Sequence, residues 1–200
     1  MKTITDFSKL DLNKRYTYAD YLTWHFNERV ELIKGLIYKM TPVPKRNHQN
    51  VSVNLIGLLW NHFRNQDCKV YEAPFDVRLK KTKQKNETYT DTVVQPDVCV
   101  ICDDTKLDDA GCIGAPDLII EILSDSTAKK DYNEKFNLYE ENEVKEYWIV
   151  NPATHNIEIF SLIDTRFVSL GLFNENEDTE KVQSKLFPEL QIELKTIFSS

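Results

Sequence analysis

The sequence predicts a mixed α/β fold: a β-sheet flanked by helices, with an N-terminal β-hairpin and a C-terminal β extension. Three observations lead there. A long amphipathic stretch at residues 47–65 precedes two short apolar runs, QPDVCVIC (95–102) and APDLIIEILSDST (115–127). A second helical stretch then runs from about Ser126 to Asn142, and VKEYWIV (144–150) comes directly after it. Helix, strands, helix, strand is the order of a sheet with helices packed against it. At 200 residues the chain is sized for one domain with a single substantial core.

Each element has its own local signal. YTYADYLTWHF (16–26) carries Tyr18, Tyr21, Leu22 and His25 at spacings near three and four, a helical pattern. RVELIKGLIYKM (29–40) reads as two strands around Lys34-Gly35, and Pro42 and Pro44 punctuate the chain after it. The helix at 47–65 offers Val51, Val53, Leu55, Ile56, Leu58, Leu59, Trp60 and Phe63 for packing. KVYEAPFDVRL (69–79) is extended, with a proline that favours a sheet edge. Residues 80–91 lack apolar periodicity and read as a connecting loop. Lys80, Lys81, Lys83 and Lys85 fit a solvated loop tip, with phosphate contact as the alternative. Strands are expected at 94–102 and 117–123, joined by the loop at 103–116. In the second helix, Ser124, Asp125 or Ser126 suits the N-cap, and Tyr132, Phe136 and Tyr139 share a stripe. After VKEYWIV, whose Tyr147 and Trp148 read as core, a turn at Asn151-Pro152 leads to strands at 155–162 and 166–173. An acidic loop (174–180) and a terminal segment ending LQIELKTIF complete the chain, with no internal repeat.

Composition narrows the function classes. Hydrophobic residues at 41% and aromatics at 11% suit a folded globular protein. No apolar run approaches the ~18–20 residues of a membrane span. The opening MKTITDFSKLDLNKR lacks a signal-peptide hydrophobic core, so a cytoplasmic protein without membrane association is expected. A net charge of −7 excludes a broadly basic nucleic-acid coat but not a local basic face. Cys99 and Cys102 form a CxxC inside a strand, where positions three apart point to opposite faces and cannot share one metal. All four cysteines are expected to be reduced, mostly buried thiols.

Two carboxylates stand out. Asp97 opens one apolar strand, and Glu121 sits inside the run Leu118-Ile119-Ile120-Glu121-Ile122-Leu123. An ionised carboxylate taken from water costs several kcal/mol unless it is paired or bound to a metal. Two of them on adjacent strands suggest a divalent-cation site, although Asp97 after proline also suits an ordinary turn.

In order, RVELIKGLIYKM, the proline-rich turn with His48, FDVRL, VVQPDVCVI and APDLIIEILSDSTAKKDYNEKFNLYEENEVKEYWIVNP resemble the Uma-type restriction-endonuclease family. That family belongs to the PD-(D/E)xK nuclease superfamily, and the resemblance covers about residues 16–162. It implies a restriction-endonuclease-like sheet flanked by helices and Mg²⁺-dependent hydrolysis of DNA phosphodiesters, with Mn²⁺ as a substitute. Pro96-Asp97 resembles the PD of the motif, and Glu121 its second acidic residue. The superfamily then expects lysine two positions later, where this chain has Leu123. In this family the lysine is thought to have moved onto the following helix, which offers Lys129, Lys130 and Lys135. Glu31 resembles the extra acidic ligand that such nucleases supply from the N-terminal part, and is equally a half-exposed strand residue. His48 suits water orientation or phosphate contact, and is equally an ordinary histidine near a helix cap. Asp76 is a further candidate for the metal or its surroundings.

Geometry picks Lys135 among the helix lysines. Glu121 lies about three residues, or ~10 Å, back from the strand end. A helix returning at ~1.5 Å per residue from Ser126 or Thr127 comes level with it after about seven residues, at 133–135. Lys129 and Lys130 fall more than a turn short, whereas Asp131, four residues before Lys135, shares its face. The bland reading is a solvent-facing lysine on a charged helix.

The resulting expectation is a metal-dependent DNA endonuclease. Asp97 and Glu121 would bind Mg²⁺, Lys135, Glu31 and His48 would support catalysis, and a homodimer would cut both strands. The alternatives are a nuclease-fold binding module without activity, and a metal-dependent phosphodiesterase acting on RNA or nucleotides.

Overall fold

The computed structural model describes residues 3–40, 45–79, 90–124, 128–175 and 181–199. The lysines expected at a loop tip (80, 81, 83, 85), Pro42, Pro44, the N-cap candidates Asp125 and Ser126, and residues 176–180 of the acidic loop lie outside the described residues.

The expected N-terminal helix is reduced to α1 (Tyr18–Tyr21). Thr17 and Asp20 cap its start, with Asp20 Oδ2 accepting from the Thr17 N–H at 2.9 Å. Its end is set by the Thr23 hydroxyl, which donates to the Asp20 carbonyl at 2.6 Å, while Trp24 bridges to Ile4 as extended chain. The predicted hairpin forms as β1 (Val30–Ile33) and β2 (Leu36–Lys39), with Ile33 opposite Leu36. Lys34 and Gly35 both have positive φ (51° and 83°), the left-handed pair that a tight two-residue turn requires. Helix α2 (Arg46–Phe63) comes next.

Two prolines then move the chain between sheets, because a proline offers no N–H to a ladder. KVYEAPFDVRL is split at Pro74 into β3 (Lys69–Glu72) and β4 (Val77–Arg78). The run predicted as one strand at 94–102 is split at Pro96 into β5 (Val93–Val94) and β6 (Val98–Ile101). The predicted loop at 103–116 contains a small hairpin, β7 (Leu107–Asp108) and β8 (Gly111–Ile113). A Cβ at Gly111 would lie 2.2 Å from the Asp76 carbonyl, so the close approach of β8 to residue 76 needs glycine there.

Strand β9 (Leu118–Ile122) leads to a helix in three parts: α3 (Ala128–Lys130), a π-helical turn (Asp131–Lys135) and α4 (Phe136–Glu141). The wide turn breaks the 3.6-residue phase of the expected aromatic stripe. Tyr139 is buried, while Tyr132 is 39% exposed. Strands β10 (Glu146–Asn151), β11 (Asn156–Ile163) and β12 (Arg166–Asn174) continue the sheet. The C-terminal extension is a pair, β13 (Lys181–Gln183) and β14 (Gln191–Glu193), followed by α5 (Leu194–Phe198).

The central sheet has the order β12-β11-β10-β9-β6-β3, with β9 and β10 parallel. As expected, β3 lies at its edge. The second sheet has the order β2-β1-β5-β4-β8-β7. Helix α2 covers one face of the central sheet, with Val51, Leu55, Leu59 and Phe63 against Val98, Val100, Leu118, Ile120 and Trp148. Val53 and Trp60, also expected in the core, are 66% and 55% exposed, because the buried stripe runs along the i, i+4 row from Val51. On the other face Ile119, Tyr147 and Ile149 pack with Leu138 and Tyr139 of α4 and with Val77 and Val94 of the second sheet. No described helix is long and apolar enough to cross a membrane.

The expectation of four reduced thiols is corrected: Cys68 and Cys102 form a disulfide, while Cys99 and Cys112 are free and buried. The β3–β6 register explains the pairing. Lys69 lies opposite Ile101, so one step outward brings Cys68 opposite Cys102. Cys99 and Cys102 do face opposite sides of the sheet, as the alternation requires.

Leu55→Ala is expected to cost about 2–5 kcal/mol of stability, through lost burial and a residual cavity. Val53→Ala, on the exposed side of the same helix, should stay within about 0.5 kcal/mol. Urea unfolding at unchanged m-value measures both.

Candidate active site

At the end of the central sheet, β6 and β9 run antiparallel with Val98 opposite Ile120. One step further along the register sets Asp97 opposite Glu121, on the face away from α2. Pro96 carries the chain over from the second sheet, so Asp97 is the first residue after that crossing and leads straight into β6. Its Oδ2 accepts from the Ile122 N–H at 2.8 Å and lies 3.4 Å from His48 Nε2, which reaches over the sheet end from the first turn of α2. The Asp97 side chain is 23% exposed and that of Glu121 is 4% exposed, so the pair opens to solvent on the Asp97 side.

The helix after β9 delivers a cation into this space. Lys135 Nζ lies 2.7 Å from Glu121 Oε1, 3.1 Å from Glu31 Oε1 and 3.8 Å from Asp131 Oδ1. The Tyr139 hydroxyl donates to the same Glu121 oxygen at 2.6 Å. Glu31 comes from β1 of the second sheet, and its Oε1 also accepts the Gln95 N–H at 3.1 Å. Its other oxygen pairs with Lys130. Lys135 therefore joins the two sheets and the helix in one contact set.

Burial governs the electrostatics. It pushes Glu121 up to about 8 against the pull of Lys135, with the negative charges of Asp131, Asp97 and Glu31 adding to the rise. Burial opposes the charge on Lys135, but Glu121, Glu31 and Asp131 outweigh it and hold the ammonium well above the usual lysine range. Glu31 is also penalised by burial, yet Lys135 and Lys130 hold it below the usual carboxylate range. For His48, burial is outweighed by Asp97, and its value rises.

The structure brings together the five residues expected to bind the metal or support catalysis: Asp97, Glu121, Lys135, Glu31 and His48. Glu31 differs from its expected part, because both its oxygens are engaged by lysines and a backbone N–H rather than turned to an open position. Lys130, expected to fall short, reaches Glu31 through its long side chain. The side chain of Lys129 lies outside the described residues. Asp76 is one contact removed, accepting from the Gln95 side chain at 2.8 Å and the Tyr21 hydroxyl at 3.2 Å. In the sequence Tyr139 stands out only as a member of the aromatic stripe. Its spacing of four from Lys135 was the signal that both could meet one carboxylate.

Among the described residues no group of three or more His, Cys, Asp or Glu side chains is arranged to hold a metal. A cation here would draw on Asp97 and Glu121. Asp97 Oδ1 and Glu121 Oε2 accept no hydrogen bond among the described residues, while the opposite oxygens are fixed by Ile122, Lys135 and Tyr139. Two fixed carboxylates with one open oxygen each fit Mg²⁺, which takes one or two carboxylates and keeps several waters. They do not fit a closed zinc site.

Comparisons with known proteins agree with this architecture. A crystal structure from Anabaena variabilis, described as "a putative nuclease belonging to DUF820", superposes with a TM-score of 0.66 at 18% identity, covering 85% of this chain and 89% of that one. The uncharacterized protein slr1290 of Synechocystis sp. is 29% identical over 180 residues, 89% of this chain and 84% of the relative. A second Synechocystis protein, sll1609, is 28% identical over 173 residues, 84% of this chain and 93% of the relative. The model of the Uma2 family, "Putative restriction endonuclease", matches residues 18–195, beyond the stretch on which the sequence resemblance rests, and the chain belongs to that family.

Proposed function

We propose that this protein is a metal-dependent endonuclease that hydrolyses DNA phosphodiesters, with Mg²⁺ or Mn²⁺ held by Asp97 and Glu121. The observation that carries the reading is the cross-strand Asp97–Glu121 pair with Lys135 Nζ 2.7 Å from Glu121. It supplies the three residue types of the PD-(D/E)xK pattern although the strand position is Leu123.

When bound, the cation would supply Lewis-acid stabilisation of phosphate charge and a more acidic water. The chain does the rest. Asp97 is oriented by the Ile122 N–H and His48, and Glu121 by Tyr139 and Lys135. Lys135 keeps its positive charge at all ordinary pH values because carboxylates surround it, so it can hold a water or face a phosphate oxygen as a fixed charge. Among the described residues His48 Nδ1 is buried without a hydrogen-bond partner, while Nε2 lies 3.4 Å from Asp97.

Two carboxylates held this close repel each other, and a cation relieves that repulsion. Mn²⁺ in excess over EDTA-treated protein is expected to raise the melting temperature, by about 2.7 kcal/mol of added stability at ~100 times its Kd. An Asp97→Ala/Glu121→Ala double variant should lose the shift. An equal shift in both proteins contradicts the metal assignment.

Lys135 is buried between carboxylates, so its removal will also affect stability. Lys135→Met keeps the chain length, and Glu121 can take up a proton in response. We expect cleavage to fall by about 10²-fold or more while Mn²⁺ binding persists. Full activity in Lys135→Met removes the lysine from the mechanism. Duplex DNA, single strands, RNA and small diesters, assayed side by side, separate the DNA nuclease from a phosphodiesterase and from a binding module.

Cutting both antiparallel strands calls for two sites related by a two-fold axis. Light scattering with duplex DNA is expected to show a dimer. A monomer at all working concentrations would leave a strand-nicking or single-strand enzyme.

A further inference from the structure

At the same end of the central sheet as the carboxylate pair, but on the α2 side, is a cavity of about 190 Å³ lined by Asn47, Asn50, Val51, Pro152, His155 and Phe198. We propose that it receives one unpaired nucleobase of the substrate, next to the nucleotide whose phosphate is cut. The proposal rests on the nuclease reading above and names the part of the substrate that this end of the molecule holds.

Position favours it first. Three elements meet here: the first turns of α2, the β10–β11 turn and α5. Asn47 is the chain neighbour of His48, which touches Asp97, and Asn50 and Val51 lie one turn on. From the other side, Val150 pairs with Ile122, whose N–H binds Asp97, and Pro152 is two residues beyond Val150. β9 and β10 are the parallel pair of the central sheet, and both end here. The crevice outside the carboxyl ends of parallel strands is where open α/β sheets take ligands.

Chemistry favours it independently. The cavity is smaller than the ~300–1,000 Å³ of pockets for drug-sized ligands, and one planar ring system suits it better. Its walls pair rings with amides. The His155 and Phe198 rings stack at 4.9 Å with an interplanar angle of 3°, adding a flat aromatic wall. Asn47 and Asn50 bring side-chain amides with no hydrogen-bond partner among the described residues. Each amide has one acceptor and two donor hydrogens, the complement of a base edge. Stacking plus edge hydrogen bonds is how proteins hold bases that have left a duplex or belong to a single strand. Among the described residues the cavity lining is rings, amides and apolar groups, which suits a base.

The test is binding of a short single-stranded DNA oligonucleotide in EDTA, so that neither cation nor cleavage enters, against the same sugar–phosphate chain with its bases removed. Wild type should bind the base-bearing strand about tenfold more tightly, as one stacked base allows. Asn50→Ala and His155→Ala should lose most of that difference while still binding the abasic chain as wild type does. Glu121→Gln should keep the difference. Preference for bases that survives both cavity variants overturns the proposal and leaves the nuclease reading intact. Equal binding of the two oligonucleotides by wild type does the same. Failure to bind either oligonucleotide, with duplex DNA also unbound and uncut, overturns the proposal together with the nuclease reading.

Discussion

The structure depends on one buried cation. Lys135 places its ammonium between Glu121 of the central sheet and Glu31 of the second sheet, and all three side chains are almost wholly withdrawn from water. Removing one partner from such a set leaves a charge in a medium that solvates it poorly, typically at a cost of several kcal/mol. The contact therefore does more than hold a helix down. It ties the two sheets to each other through a helix that belongs to neither. The π-helical turn is part of the same arrangement: Asp131 and Lys135 are its first and last residues, and Tyr139, one turn on, meets the same Glu121 oxygen. Wide turns of this kind are inserted where a helix must present side chains that a regular one would misplace.

Around that contact the two faces of the central sheet have separate tasks. The α2 face is apolar throughout its middle, and Leu55 and Leu59 are fully buried on it. The opposite face is apolar through Ile119, Tyr147 and Ile149, and toward its end Asp97, Glu121 and Glu158 interrupt it. The prolines matter because of where they stop the ladders. Pro96 ends pairing in the second sheet and releases Asp97 at the mouth of β6, and the Asp97 carbonyl in turn accepts the Ala73 N–H at 3.2 Å, one residue before Pro74. Both crossings between sheets thus converge on the residue that begins the candidate site.

How much of the fold was legible has physical causes. Helix α2, the first hairpin and the strands around Glu121 and Tyr147 carry strong local patterns, and they fold as the patterns say. What depends on long-range pairing was not visible. The Cys68–Cys102 bond results from the β3–β6 register over a separation of 34 residues, and no spacing rule supplies that register. The break at Pro96 was hidden because apolar residues continue on both sides of it. A carboxylate in an apolar strand does not by itself mark a site. Glu146 is fully buried in β10 and accepts from Trp148 at 2.7 Å and from the Lys185 and Leu186 N–H groups at 2.9 and 2.8 Å. Asp117 is likewise held by the Cys102 N–H at 2.8 Å and by Lys145 at 2.6 Å. Sequence alone does not separate these anchors from Asp97 and Glu121. The difference is that the anchors have donors on both oxygens, while Asp97 and Glu121 each have, among the described residues, donors on one only.

The position of the lysine carries a further consequence. Two residues after Glu121 on the strand, Leu123 faces the same side and packs in the apolar cluster with Tyr147 and Leu138. A lysine at that position would have to leave this cluster to reach Glu121, and as a neighbour on the same strand it would bind the central sheet to nothing else. From the helix, one ammonium approaches Glu121 from above and reaches Glu31 as well. With Leu123 on the strand and Lys135 on the helix, the chain combines a charge beside Glu121, apolar packing at the strand position, and a link between sheets. Because the ammonium that holds Glu121 also joins the two sheets, the geometry around Glu121 is fixed by folding itself.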